Sequence, residues 1–381
     1  MRIIWHSNAP FTNSAYGIQT ALFVPRIAGL GHEVVISSPH SFAGSPLDWN
    51  GFQIIPAAGD VMGNDIIAAN YQYYRADLLI TLCDVFGLGP SAPQLAGINV
   101  AHWTPVDCDP LGGGDLAVLR DGMGIPIAMT RFGQRVMENE GLDPFYVPHG
   151  LDTKLYAPGK REEVRATMAF GDAFIIGICA MNRDPVRKGL VEQIMAFRLF
   201  WENHPDSKLM VHASCSSDPG LHLDALVSAL GFPADTVMFP DRYSLSTGLI
   251  SNEAMAAWFC SLDLLSACSY GEGFGMPVLE AQACGVPVVV TDFSGTGELC
   301  FSGWRVQGKK HWVNGHHSWW RRPEVEDIAA AYEEAWEAAR GRIAGLAPGA
   351  REKALAYDAD AVTEKYWAPV LGSIEADLKG G

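Results

Sequence analysis

Apolar residues in this chain gather into short runs separated by longer stretches of mixed character. Ile3–Trp5, Val34–Ile36, Leu78–Leu82 and Ile98–Ala101 form one series, and Phe174–Cys179, Lys208–His212, Leu264–Ala267 and Val286–Val290 form a second. The first series lacks polar alternation, the pattern of parallel strands covered by helices on both faces. Helix-like segments lie between the runs, beginning with Ile18–Leu30, which stops at Gly31. The Pro- and Gly-punctuated segment Val147–Gly159 separates the two series near residue 155. The pattern predicts an α/β chain of two doubly wound, parallel-sheet domains. Such sheets hold ligands outside the carboxyl ends of their strands, so the loops after Trp5, Ala101, Cys179, His212 and Ala267 are the ones to inspect. Glu324–Arg340 reads as an acidic amphipathic helix with one solvated face.

The composition narrows the function classes. Of 381 residues, 48% are apolar and 18% charged, which excludes wholesale disorder. The 40 Gly and 23 Pro point to many tight connections. A formal net charge of −16 disfavours a dedicated binder of nucleic acid or of anionic membranes. An anionic ligand would require cations concentrated locally. None of the eight cysteines forms a C-x-x-C pair, so neither a zinc knuckle nor a redox motif is visible, and a reduced, cytoplasmic setting is expected. The N-terminal apolar run is too short for a signal peptide, and no run approaches the roughly 20 residues needed to span a bilayer.

Three segments carry candidate chemistry. In Ser269–Pro287 a strand gives way to a loop with Gly271, Gly273 and Gly275, then to a helix with Pro277 at its start and Gly285 at its end. The glycines let backbone N–H groups approach a ligand. Glu272 in the loop and Glu280 one turn into the helix can face one pocket, and paired carboxylates suit the vicinal hydroxyls of a sugar or ribose. The bland alternative is a glycine-rich turn with two capping glutamates. Second, Arg183, Arg187 and Lys188 fall within six residues at a strand's carboxyl end. Arg forks onto phosphate oxygens and Lys adds a compact charge; Arg187 reads as solvent-facing or as a helper, and a basic helix start without a ligand is the competing reading. Third, His102 directly follows the run Ile98–Ala101. By itself such a histidine is more often structural, the reading given to His6, His32 and His149.

Ser269–Pro287 resembles the E-x7-E signature of retaining GT-B glycosyltransferases, in particular glycosyltransferase family 4 with its E-G-F-G-x-P-x-L-E-A-x-A-x-G-x-P-V pattern. The spacing Arg183-x4-Lys188-Gly189 is similar to that family's diphosphate-binding pair. The resemblance implies a GT-B fold of two Rossmann-like domains facing an interdomain cleft. Residues 1–153 would form the acceptor side, residues 154–362 the donor side, and the segment 363–381 would cross back onto the first domain. It further implies a hexosyltransferase-type reaction with a nucleotide-diphosphate sugar as co-substrate, no cofactor and no metal. Glu280 would bind the ribose and Arg183 and Lys188 the diphosphate, while His102, Glu272, Gly273, Phe274 and Gly275 would meet the sugar. Gly17, in a loop where the family carries a Gly-Gly pair, would approach the diphosphate. Val147–Asp152 resembles an interdomain V-P-N-G-V-D segment with His149 replacing Asn; Met238–Asp241 and Ser269 would border the base pocket.

The donor's base and sugar stay open, as does the acceptor, whether glycan, lipid, protein or small molecule. A basic, tryptophan-rich stretch at 304–322 departs from the family pattern and reads as an insertion, either a hairpin packed on its own domain or a carbohydrate or single-strand surface. Two alternatives follow: an epimerase or hydrolase of nucleotide sugars on the same fold, or a non-catalytic glycan- or nucleic-acid-binding protein using that stretch.

Overall fold

The computed structural model describes residues 1–39, 42–91, 95, 97–120, 124–159, 161–168, 170–340 and 346–380. The chain divides into two units. One comprises Met1–Leu151, Val313–Ser318 and Tyr357–Gly381; the other comprises Asp152–Trp312 and Trp319–Ala356. The division falls two residues before the expected boundary, and the C-terminal return starts at Tyr357 rather than at 363. Residues 313–318, expected in the second unit, group with the first because Gly113 donates its N–H to the His316 carbonyl.

The first unit contains β1 (Arg2–His6), β2 (Glu33–Ser37), β3 (Leu47–Trp49), β4 (Phe52–Ile55), β5 (Leu78–Leu82), β6 (Val100–Thr104), β7 (Ile125–Ala128) and β8 (Phe145–Tyr146). They form one sheet in the order β3-β4-β2-β1-β5-β6-β7-β8, parallel except for the β3–β4 pair. Both β5 and β6 are buried along their whole length. The apolar run at Ile98–Ala101 misplaced β6 by two to three residues, because two polar residues inside the strand, His102 and Thr104, are concealed by burial. His102 therefore lies within a strand, not after one.

The core of this unit is aromatic. Trp103 packs against Trp5 at 5.9 Å and against Trp367 at 5.0 Å between ring centroids. Trp367 comes from the C-terminal segment, where a π-helical turn (Thr363–Trp367) leads into the helix Ala368–Gly380. That segment is seated on the first unit by backbone bonds as well: Leu151 donates to Tyr357 and Ala359 donates to Leu151.

In the second unit β9 (Ile175–Cys179), β10 (Lys208–His212), β11 (Val237–Met238), β12 (Leu264–Ala267), β13 (Val288–Thr291) and β14 (Gly303–Val306) form a parallel sheet ordered β11-β10-β9-β12-β13-β14. The helix Val325–Arg340 buries Ile328, Tyr332 and Ala335, and the Tyr332 hydroxyl donates to Ser266 Oγ on β12 at 2.7 Å. The tryptophan-rich stretch is split. Trp304–Val306 belongs to β14 of the sheet, while β15 (Gly308–Val313) and β16 (Ser318–Pro323) form a separate two-stranded ribbon. No described helix is long and apolar enough to cross a membrane.

Candidate active site

The glycine loop of the second unit leaves β12 at Ala267 and enters the helix Met276–Ala283. Gly275 caps that helix in the left-handed region, at φ 101°, where a side chain would be strained. Pro277 sits in the first turn, whose N–H groups have no intrahelical acceptor to lose. Gly285, at φ 85°, follows the last turn. The cationic stretch leaves β9 at Cys179 and is a turn, not the basic helix start of the competing reading; the helix Leu190–Asn203 begins only after Gly189.

These two loops are joined by hydrogen bonds. Tyr270 donates its N–H to the Arg187 carbonyl at 2.8 Å. Gln193, buried on the helix Leu190–Asn203, donates to the Lys188 carbonyl at 2.9 Å and accepts from Ser266 Oγ at 2.7 Å and Cys268 N–H at 3.2 Å. Gly189 approaches so closely that a Cβ would collide with the Cys268 carbonyl oxygen. The loops therefore hold each other at the carboxyl ends of neighbouring strands β9 and β12.

Glu272 is the centre of the cluster. Lys188 Nζ lies 2.5 Å from its Oε1, Arg187 Nη1 lies 3.2 Å from its Oε2, and Ser269 Oγ donates to Oε1 at 2.8 Å. Its own N–H donates to Ser294 Oγ at 2.9 Å. Burial opposes ionisation here, but Lys188 and Arg187 overcome it and hold the carboxyl down at about 2. Arg187 is thus not solvent-facing. Asp184 Oδ1 accepts from the N–H groups of Val186 and Arg187, turning the chain so that Arg187 reaches Glu272 and the Gly271 carbonyl. Arg183 is exposed and makes no side-chain hydrogen bond or ion pair among the described residues.

Glu280 has the opposite surroundings. It is 7% exposed on the helix Met276–Ala283, and burial pushes its carboxyl up to about 7. Two glutamates eight residues apart are therefore separated electrostatically into a charged partner of cations and a buried acid near neutrality.

In the first unit His102 is fully buried on β6, and its Nδ1 is hydrogen-bonded with Thr81 Oγ1 on β5 at 2.8 Å. Thr81 and His102 are register partners, so the two side chains share one face of the sheet. Gly17 lies in the first turn of the helix Ala15–Gly29, where its N–H donates to Ser14 Oγ and a Cβ would collide with the Thr12 carbonyl. His149 is buried against the Trp103 ring at 4.9 Å, and burial lowers it to about 3, keeping it neutral. Among the described residues no group of three or more His, Cys, Asp or Glu is arranged to hold a metal ion.

Sequence reasoning missed Gln193 and Ser294, and left Arg187 between a solvent-facing residue and a helper; its bonds to Glu272 and the Gly271 carbonyl make it the helper. Ser294 was hidden by distance along the chain. Gln193 left one trace, a polar residue beside Leu190, Ile194 and Phe197 on a buried helix face.

The two parallel-sheet units define a GT-B glycosyltransferase fold. The sucrose-phosphate synthase of Thermosynechococcus elongatus superposes with a TM-score of 0.76 over 100% of both chains at 16% identity. Anabaena HepE, solved in complex with UDP-glucose, superposes at 0.69 over 98% of this chain and 100% of that one, also at 16% identity. Residues 173–337 match the family model described as Glycosyl transferases group 1, a match that lies within the second unit. The D-inositol 3-phosphate glycosyltransferase of Arthrobacter sp. (strain FB24) is 30% identical over 158 residues, 41% of this chain and 35% of that protein. That of Rhodococcus jostii (strain RHA1) is 26% identical over 248 residues, 62% of this chain and 50% of that protein. The matches thus span between a third and a half of those relatives.

Proposed function

We propose that this protein moves a sugar from a nucleotide-diphosphate sugar to a hydroxyl-bearing acceptor, with retention at the anomeric carbon and without a metal. The observation that carries the reading is the union of the cationic turn with the glycine loop, which puts Lys188 and Arg187 on Glu272 at the strand ends where α/β sheets receive ligands. Breaking the bond between sugar and diphosphate develops negative charge on the leaving phosphate. Fixed cations stabilise that charge more than they stabilise the bound donor, which lowers the barrier. Lys188 takes this role, with exposed Arg183 free to swing onto a phosphate oxygen and Arg187 holding Glu272 in place.

Glu272 and the backbone of Gly273–Gly275 would receive the sugar hydroxyls, Glu280 the ribose, and His102 the sugar near the reacting carbon. No side chain is assigned as a nucleophile; the leaving phosphate itself would take the acceptor's proton. UDP-sugars are the first donors to test, because HepE was solved with UDP-glucose. The acceptor is expected to be less anionic than an inositol phosphate, since residues 1–150 hold six Arg and no Lys against thirteen Asp and Glu.

A thermal-shift panel of nucleotide sugars, followed by NMR of the product, tests this reading. One donor should raise Tm by linkage and give a product of unchanged anomeric configuration, in EDTA as well as without it. Lys188→Ala should cut kcat by about 10²–10³ without unfolding the protein. Full turnover by both Lys188→Ala and Glu280→Ala would overturn the assignment.

A further inference from the structure

The two faces of the ribbon formed by β15 and β16 have different surroundings. Side chains alternate across a strand, so Lys309 and His311 leave β15 on one side and Lys310 and Trp312 on the other. The His311 ring packs on that of Tyr270, with 5.2 Å between centroids and the planes at 81°. Arg321 of β16 donates its N–H to the Tyr270 carbonyl at 2.9 Å. Tyr270 immediately precedes Gly271 and Glu272, and its hydroxyl donates to Glu192 Oε1 at 2.6 Å. The His311 face of the ribbon is therefore seated on the glycine loop. Lys309 and Arg322 are both paired with Glu324, at 3.1 and 3.0 Å.

The opposite face carries Trp312 and Trp319, which meet edge to face at 4.9 Å between ring centroids. Lys310 Nζ lies 5.5 Å from the Trp319 centroid, and Arg321, two residues beyond Trp319, shares this face. Lys310 and Arg321 form no ion pair among the described residues, unlike Lys309 and Arg322. Trp320, on the loop side, is buried at 5% exposure, whereas Trp312 is 46% exposed. A single exposed apolar residue is ordinary, but adjoining indoles flanked by cations form a patch that packing on the ribbon's own unit does not use. A pyranose ring has a face of C–H groups and a rim of hydroxyls. The C–H face can lie on an indole while the hydroxyl oxygens accept from an ammonium and a guanidinium. A nucleic-acid strand would use the same rings, but it needs a track of cations along its phosphates. Two cations on a chain of net charge −16 do not supply one.

We propose that this face of the ribbon binds a saccharide chain, one pyranose stacking on Trp312 while Lys310 and Arg321 donate to its hydroxyls, and that the bound chain is the acceptor. The acceptor half of the proposal rests on the transfer reaction put forward above. The loop that would receive the donor sugar also carries the ribbon, so a saccharide held there stays beside the site of transfer. The ribbon itself stands between its outer face and that loop. An acceptor must therefore be several sugars long to use both, and a monosaccharide gains nothing from Trp312.

The test has two arms. The first follows the indole N–H signals of the full chain by ¹H–¹⁵N NMR, those of Trp312 and Trp319 being assigned by their loss in Trp312→Phe and Trp319→Phe. Probes are neutral gluco-, manno- and galacto-hexasaccharides, a hexagalacturonate and oligothymidylate. At least one saccharide should shift both signals along a saturating curve and leave those of the buried Trp103 and Trp367 in place. The neutral and uronate probes separate binding through hydroxyls from binding through carboxylates. Trp312→Ala should weaken that saccharide's Kd about tenfold at unchanged Tm, and Trp312→Tyr should fall between. The second arm uses the donor identified by the panel. Trp312→Ala should raise the KM of the saccharide acceptor about tenfold, leaving the donor KM and the donor's hydrolysis by water unchanged. No shift with any saccharide, or shifts with oligothymidylate alone, overturns the proposal. Saccharide binding with an acceptor KM untouched by Trp312→Ala overturns its acceptor half. If no nucleotide sugar is consumed, the transfer reading fails, whereas the indole titration still decides what the ribbon binds.

Discussion

Arg183 and Arg187 stand four residues apart on one turn and do different things. Arg187 is a strut: it spans the Gly271 carbonyl and the Glu272 carboxylate, with a quarter of its side chain exposed. Arg183 has no such partner among the described residues and lies in water. Arg183→Ala should therefore leave Tm unchanged and raise the donor KM, while Arg187→Ala should lower both Tm and kcat because the Glu272 loop loses a support. Melting curves and steady-state kinetics on the two variants separate the roles; equal Tm for both would refute the distinction. The motif spacing in the sequence pointed to Arg183, and no pattern in the chain could show that the Asp184 turn aims Arg187 inward.

At the scale of elements, the site depends on two loops from neighbouring strands of the sheet, β9 and β12, being close enough to share the Tyr270–Arg187 backbone hydrogen bond. Gly189 allows this. It has a left-handed φ of 58°, and its Cα approaches the Cys268 carbonyl too closely for any side chain. Gly189→Ala should destabilise the protein by at least about 1 kcal/mol, from the backbone strain alone, and should also weaken donor binding. Denaturant unfolding and donor titration would read the two effects together; a variant with unchanged stability and binding would show that the loops relax apart without consequence. The strands themselves were legible from their apolar runs, and the helix Met276–Ala283 from Gly275, Pro277 and Gly285. The displacement of β6 was not, because a buried His–Thr hydrogen bond lets polar residues occupy a covered strand.

For the whole molecule, the titration of buried groups sets how stability depends on pH. Glu280 and Asp115 are both raised to about 7 by burial, with Asp107 and Asp84 adding to the effect on Asp115. The folded state thus holds their protons more tightly than the unfolded chain, so the stability they contribute at low pH is lost as pH rises from about 4 to about 7. Glu272 and His149 act the other way. Glu272 loses its contribution as pH falls from 4.5 towards 2, and His149 loses its own as pH falls from 6.5 towards 3. Stability should therefore peak on the acid side of neutrality. Glu280→Gln, which cannot ionise, should match or trail wild type at pH 5 and gain on it by about 3 kcal/mol by pH 8. Urea unfolding across that range checks it, and a difference independent of pH would show that Glu280 is not the titrating group.

Much of this protein could be read from its residues in order. Two runs of apolar strands with helices between them specify two parallel-sheet units, because a strand covered on both faces has no room for polar alternation. The carboxylate, glycine and cation motifs marked the carboxyl ends of β9 and β12, because backbone geometry near a helix start demands particular residue types. Only the tertiary structure decided which groups face one another: Arg187 on Glu272, Gln193 between two loops, and Trp367 brought from the chain's end into the first unit's core. These partners lie 75 to 264 residues apart along the chain, and burial then fixed the charges of the two glutamates. Local sequence sets local conformation; the field at a buried carboxyl depends on whatever the fold places against it.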